Sequence, residues 1–200
     1  MIKGFVLSAV LTLLISGCHA APPDAAQVRQ PRVTFEKGVF SINGKHARIG
    51  ATTAEWISAL GTNYRYADPK SADMIIWDEL GIFIYTDLPG KDQVSSVAFA
   101  FHKNPDNHLD LPATAQDIRP RRTFTGEVVI GGARFNGDME MGDIPAASNM
   151  TFEVHCSKGI AICTTNRVDG TSRGYSIYFT VDEKRYQSLP YTIEISRALE

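Results

Sequence analysis

The sequence predicts an α+β fold of two tandem β-rich units. Each unit has a β-hairpin, a helix that is degenerate in the second unit, and a three-stranded antiparallel meander. Short alternating apolar segments, glycine-containing turns between them, and a repeat of this pattern at an offset of 78 residues support the prediction. At that offset Gly81-Ile82-Phe83-Ile84 falls on Gly159-Ile160-Ala161-Ile162, and Val97, Phe99 and Phe101 fall on Tyr175, Ile177 and Phe179. A chain of 200 residues is long enough for both units.

The first element, residues 1–17, is a predicted signal peptide, with Lys3 followed by an apolar run from Phe5 to Ile15. Ile15-Ser16-Gly17-Cys18 resembles the lipobox of bacterial lipoproteins, and this resemblance implies lipidation of Cys18. His19 follows in place of the Asp that retains such proteins in the inner membrane in enterobacterial-type sorting. We therefore expect a lipid anchor in the outer membrane, facing the periplasm, with residues 18–32 as a flexible tether rich in Ala and Pro.

The first unit, residues 33–103, starts with a hairpin in "GVFSINGKHARIG", whose tight turn is Asn43-Gly44. "TTAEWISALG" then predicts a helix, with Thr52 and Glu55 as a capping box and Gly61 at its end. Three strands follow in "MIIW", "IFIY" and "VSSVAFAF", separated by the polar turns "DELG" and "DLPGKDQ".

A proline-interrupted linker, residues 104–122, leads to the second unit, residues 123–200. Its hairpin lies in "GEVVIGGARFNGD", and "MGDIPAASN" allows at most one helical turn in place of the helix. Its strands are predicted in "TFEV", "IAIC" and "YSIYFTV". Cys156 and Cys163 fall on two of these strands, where an oxidising periplasm favours a disulfide. Two small buried apolar side chains are the alternative.

Composition and motifs argue against most kinds of chemistry. The formal net charge is −2, so no basic excess points to nucleic acid. The sequence contains no nucleophile elbow, Walker loop, zincin helix or dinucleotide fingerprint, and we expect neither enzymatic activity nor a cofactor. His102 and His108, with acids nearby, offer weak metal ligands, and a solvated strand exit explains them better.

The segment "MIIWDELGIFIY" places Asp78 and Glu79 side by side between two apolar strands. Adjacent residues of a strand point to opposite faces, so the two carboxylates would seldom converge on one substrate. The repeat places Cys156-Ser157 at the same position, which favours recognition over catalysis. We therefore expect charge reversal at Asp78 and Glu79 to weaken partner binding and leave folding intact. The predicted partner-contacting residues are Asp78, Glu79, Asp87, Asp92, Asp169 and Arg173.

Three segments, "INGKHARIGATTAEWISALG", "WDELGIFIY" and "FTGEVVIGG", together resemble a family of bacterial envelope lipoproteins over most of residues 33–181. Members of such families are immunity lipoproteins, encoded beside antibacterial toxins that a type VI secretion system injects into the periplasm. The resemblance implies that this chain binds and neutralises such an effector, for example a lipase. Its partners would then be the cognate toxin and, through the N-terminal lipid, the membrane.

A second resemblance implies another function. "TTAEWISALG" followed by strands is similar to the small lipoproteins of the outer-membrane assembly machinery, whose helix also ends in Leu-Gly. A housekeeping lipoprotein that scaffolds an outer-membrane complex is therefore the alternative. The sequence predicts no oligomeric state for either function.

Overall fold

The strands of the chain form two β-sheets, seen in a computed structural model that describes residues 31–68, 70, 72–86, 92–102, 119–144, 154–156, 162–165, 174–182 and 190–197. The elements in chain order are β1 (Arg32–Glu36), β2 (Val39–Ile42), β3 (Lys45–Arg48), α1 (Thr53–Leu60), β4 (Arg65–Tyr66), β5 (Met74–Trp77), β6 (Ile82–Thr86), β7 (Val94–Ala100), β8 (Glu127–Ile130), β9 (Ala133–Phe135), a 3-10 turn (Met141–Asp143), β10 (Val154–Cys156), β11 (Ile162–Thr165), β12 (Tyr175–Thr180) and β13 (Thr192–Arg197).

The five-stranded sheet has the order β3-β2-β1-β8-β9 and contains both predicted hairpins. The β2–β3 turn is Asn43-Gly44, with φ of 51° and 82°, and the β8–β9 turn is Gly131-Gly132, with φ of 56° and 87°. Positive φ at both central residues is the geometry of tight hairpin turns, so the predicted glycine turns are confirmed. β1 lies between the two hairpins, pairing antiparallel with β2 and parallel with β8.

The eight-stranded sheet has the order β10-β11-β12-β13-β7-β6-β5-β4. It contains the two predicted meanders, β5–β6–β7 and β10–β11–β12, as antiparallel strands. β13, which was not predicted from the sequence, pairs antiparallel with both β7 and β12. This strand therefore joins the two meanders in one continuous sheet.

Both sheets contribute to one hydrophobic core. Val33 and Phe40 of the five-stranded sheet lie in the same buried cluster as Phe99 and Phe179 of the eight-stranded sheet. The helix adds Trp56, whose ring lies 5.2 Å from that of Phe40 and whose indole N–H donates to the Arg48 carbonyl at 2.9 Å. The alternating apolar residues that predicted the strands therefore pack between the sheets.

The predicted α+β class is wrong, because the fold is mostly β. Strands make up 52% and helical residues 10%, and α1 is the one α-helix within the ranges given above. Within the described residues, the helix position of the second unit contains the 3-10 turn Met141–Asp143, and the sequence there includes the poor helix formers Gly142 and Pro145. The additional strand β13 shifts the balance further, because Ile193 and Ile195 alternate with polar residues.

Several predicted segments lie outside the described residues. They are the signal peptide, Cys18, the tether as far as residue 30, and residues 104–118 of the predicted linker. In the part of the chain that the structure describes, no helix has the length and apolar character needed to cross a membrane.

Candidate functional site

The turn between β5 and β6 carries Asp78 and Glu79 and is held in place by the buried strand β5 and by hydrogen bonds of Trp77. All four residues of β5 are buried, and the Trp77 indole N–H donates to the Gly61 carbonyl at 2.8 Å. The Trp77 carbonyl accepts hydrogen bonds from the backbone N–H groups of Leu80 and Gly81, each at 3.1 Å. The chain therefore reverses tightly at residues 78–81, directly above the core.

Asp78 is held by groups from two other parts of the chain. Its carboxylate accepts hydrogen bonds from Arg65 Nε at 2.8 Å and from the Arg121 backbone N–H at 3.0 Å. Its backbone carbonyl accepts from the Arg122 N–H at 3.0 Å. Arg65 also donates to the Arg119 carbonyl at 2.9 Å. The Asp78 side chain, only 16% exposed, therefore fastens residues 119–122 across the turn.

The environment of Asp78 favours its charged form. Partial burial disfavours the carboxylate, but hydrogen bonds from Arg65 and the Arg121 N–H, with the charges of both guanidinium groups, outweigh burial and lower the pKa of Asp78. Asp78 is therefore a structural ion-pair residue and a poor proton donor. These contacts lead us to expect that charge reversal at Asp78 destabilises the fold, in contrast to the expectation from the sequence.

Glu79 and the two arginines fastened by Asp78 form an exposed surface, which we name the hairpin-tip patch: Glu79, Arg121 and Arg122. Glu79 Oε2 lies 2.9 Å from Arg122 Nε, and all three side chains are exposed. An exposed ion pair of this kind adds only about 0–1 kcal/mol to stability. The patch therefore presents charges of both signs on a fixed backbone, which suits recognition of a charged protein surface.

Asp92, predicted as a partner-contacting residue, makes a structural contact within the chain. It lies beside the first turn of α1, where its carboxylate accepts from the Thr53 backbone N–H at 3.0 Å and from the Thr53 hydroxyl. The Thr52 side chain makes no capping hydrogen bond, and Glu55 lies 3.6 Å from Arg48 Nε. The predicted capping box is thus replaced by a carboxylate distant in sequence, which also stabilises the positive end of the helix.

Cys156 and Cys163 lie directly opposite each other on β10 and β11 and are joined by a disulfide, with Cα atoms 4.0 Å apart. The other predicted contact residues, Asp87, Asp169 and Arg173, lie outside the described residues. His102 Nε2 donates to the Gly137 carbonyl at 2.6 Å. Over the described ranges no three His, Cys, Asp or Glu side chains come together as metal ligands.

Glu194, Asp73 and Tyr85 form a partly buried acidic cluster at the eight-stranded sheet that was not predicted from the sequence. Burial raises the pKa of Glu194, and a hydrogen bond with Ser96 opposes this only in part. Burial and the nearby carboxylates of Glu194 and Asp73 raise the pKa of Tyr85 to about 12. In β13, apolar and polar residues alternate, so Glu194 lies between the core residues Ile193 and Ile195. This alternation was the signal in the sequence that Glu194 belongs to a strand.

Replacing Glu194 with glutamine is expected to stabilise the protein at neutral and alkaline pH. Because the folded state holds the Glu194 proton more tightly than the unfolded chain, the carboxyl contributes stability at acid pH that is lost as the pH rises through its raised pKa. The gain from Glu194→Gln should therefore grow between pH 4 and pH 8, as measured by chemical denaturation. Glu36→Gln, which removes an exposed carboxylate, is the control, and an equal gain in both variants would contradict the prediction.

The fold and the patch together define a mostly β protein of two sheets, with an exposed charged surface at one end of its larger sheet. A family described as a domain of unknown function (DUF7738) matches residues 32–144, more than half of the chain, and the protein belongs to this family. The match runs from β1 through the 3-10 turn and includes the hairpin-tip patch. Comparison with curated proteins and with solved structures gave no match.

Sequence reasoning identified Glu79 as a surface residue but missed Arg65, Arg121 and Arg122. Arg121 and Arg122 follow Pro120 at the end of the predicted linker, and this pair of cations next to a proline was the available signal. No signal in the sequence pointed to Arg65, because its pairing with Asp78 depends on β4 lying beside β5.

Proposed function

We propose that this protein is a lipoprotein of the outer membrane, facing the periplasm, that binds and neutralises an antibacterial effector delivered by a type VI secretion system. The observation that carries the proposal is the hairpin-tip patch. Asp78 fixes the backbone beneath it, while Glu79, Arg121 and Arg122 stay exposed. The lipobox-like Ile15-Ser16-Gly17-Cys18 supports the proposed membrane location, and the likeness to envelope immunity lipoproteins supports the proposed kind of partner.

An inhibitor of this kind acts by occupying the surface of a toxin and needs no reaction of its own. Affinity then depends on how little the binding surface must reorganise, and a backbone already fixed by hydrogen bonds loses little conformational entropy on binding. Charges at the rim of an interface mainly increase the association rate and select the partner. The hairpin-tip patch supplies both features.

The test is expression of the protein together with the effector encoded beside its gene, with survival of the host and co-purification as readouts. Arg122→Glu is the informative variant, because it reverses a charge of the patch. Arg134→Glu is the matched control: the two side chains are 71% and 66% exposed, and each lies beside one glutamate. We expect Arg122→Glu to slow association about tenfold and Arg134→Glu to leave it unchanged.

Two outcomes contradict the proposal at different levels. If the unaltered protein neither protects the host nor co-purifies with the effector, the immunity function is wrong. If it protects and both variants bind equally well, the function stands and the hairpin-tip patch is not the interface.

The alternative is a scaffold for an outer-membrane complex, supported by α1 ending in Leu60-Gly61 ahead of the strands. A deletion strain separates the two functions. Loss of the permeability barrier without any attacking bacterium favours the scaffold, whereas sensitivity only to toxin-bearing siblings favours immunity.

A further inference from the structure

A cleft of about 360 Å³ opens where the two sheets meet, at the far end from the hairpin tip. Its walls come from the β1–β2 turn, from β3 and the residues after it, and from β12 and β13. The strand register fixes its position: Tyr175 pairs with Arg197 at one end of the eight-stranded sheet, whereas Ile82 pairs with Phe99 at the other. The cleft and the hairpin-tip patch are therefore separate surfaces.

The side chains of this cleft are strongly basic. Lys37, Arg48 and Arg197 line it together with Tyr175, and no Asp or Glu is among its lining residues in the part of the chain described. Glu55 lies 3.6 Å from Arg48 Nε and offsets part of that charge from outside the cleft. Three cations gathered around one opening, in a chain whose overall formal charge is −2, favour an anionic ligand.

Four contacts hold the walls of the cleft in place. A side chain at Gly38 would collide with the phenol ring of Tyr175, so the β1–β2 turn rests directly on that ring. Tyr175 also lies edge-on against Phe35, with ring centroids 5.0 Å apart. On the opposite wall the Arg48 carbonyl accepts a hydrogen bond from the buried Trp56 indole, and Gly50 N–H donates to the Val94 carbonyl at 2.6 Å. The cations therefore extend from fixed backbone.

We propose that this cleft binds a phosphate group, carried by a lipid headgroup or by a small soluble phosphate. A phosphate monoester has a charge of about −1.5 to −2 and three strong acceptor oxygens, which match two guanidinium forks and an ammonium better than a carboxylate does. The volume falls within the range of roughly 300–1,000 Å³ that is usual for small-ligand sites. A lipid headgroup is a natural source for a protein expected to lie close to a membrane.

The experiment follows the amide resonances of Gly38, Gly50 and Ala51 by NMR in the purified, disulfide-intact protein at pH 7 and low salt. The titrants are inorganic phosphate, glycerol 3-phosphate and acetate, and then phosphatidylcholine vesicles with and without phosphatidic acid, whose headgroup is a phosphate monoester. We expect saturable shifts with the phosphate titrants and weaker ones with acetate. Saturation by soluble phosphates identifies a small-molecule ligand, and a response only to phosphatidic acid identifies the lipid headgroup.

Paired variants separate the cleft from general charge. Arg48→Gln with Arg197→Gln removes two lining cations and should weaken phosphate binding about tenfold or more, a change that corresponds to about 1.4 kcal/mol. Arg32→Gln with Arg134→Gln removes the same charge from two exposed positions of the five-stranded sheet and should leave binding unchanged. Thermal unfolding confirms that both proteins are folded.

Three results would overturn the proposal: no saturable response to any phosphate titrant or vesicle, equal responses to acetate and phosphate, or the same loss in both double variants. None of these bears on the proposed immunity function, because the cleft lies at the opposite end of the sheet from the hairpin-tip patch.

Discussion

Replacing Gly81 with alanine is expected to lower the free energy of unfolding by about 3 kcal/mol or more, through a positive φ and a backbone clash together. Gly81 has φ of 68°, a conformation that costs an L side chain energy. A Cβ at this position would also lie 2.5 Å from the Thr123 carbonyl carbon and closer still to the Phe124 amide nitrogen. Because both obstacles are backbone atoms, no side-chain rotation relieves the clash.

Gly132→Ala provides the matched control for Gly81→Ala. Gly132 has φ of 87°, and a Cβ there would have no neighbour within 4 Å. Gly132→Ala should therefore lower the free energy of unfolding only by the cost of a positive φ, about 1–2 kcal/mol. Chemical denaturation of both variants measures the difference. Equal losses would show that residues 123–124 move aside easily and do not pass tightly over the hairpin tip.

Replacing Asp78 with asparagine should lower the free energy of unfolding by about 2 kcal/mol at neutral pH, because Arg65 loses a charged partner at a partly buried site and the exposed Arg121 loses a second, longer ion pair. Asparagine keeps the shape and one acceptor oxygen, so the loss reports mainly on charge. Glu79→Gln, beside it on the same turn, removes an exposed charge and should change stability by less than about 0.5 kcal/mol.

The loss caused by Asp78→Asn should depend on pH. The folded-state pKa of Asp78 is lowered, so its carboxylate contributes stability above its unfolded-state pKa, and this contribution disappears as the pH falls through the folded-state value. The difference in free energy of unfolding between the unaltered protein and Asp78→Asn should therefore be largest at pH 7 and disappear in strong acid. A gap that stays constant with pH would mean that the ion pair contributes nothing and that only shape matters at this position.

The predictions for Gly81→Ala and Asp78→Asn also bear on function. Both residues hold the chain that carries Arg121 and Arg122 across the turn, so their loss should displace the hairpin-tip patch as well as destabilise the fold. Substitutions at Glu79 and Arg122 are therefore the correct probes of partner binding, since they change charge and leave the fastening beneath intact.

Local patterns in the sequence determined much of the secondary structure. Asn43-Gly44 and Gly131-Gly132 specified two hairpin turns, because few residues other than glycine and asparagine adopt positive φ at low cost. The segment from Thr52 to Gly61 specified the helix, and alternating apolar residues specified the strands of both meanders. The predicted α+β class was wrong because it treated one short helix as a structural layer and did not include β13 among the strands.

What only the tertiary structure decided is which charged residues meet. Asp78 and Glu79 are neighbours with similar chemistry, yet one is fastened by Arg65 and Arg121 and the other stays exposed. Asp92, predicted as a partner-contacting residue, caps a helix that begins 39 residues earlier in the chain. The basic cleft brings together β3 and β13 from opposite ends of the described chain. A turn sequence fixes where a charge emerges, but sheet order and register fix its partner, because Coulomb and hydrogen-bond energies depend on distance in space rather than along the chain.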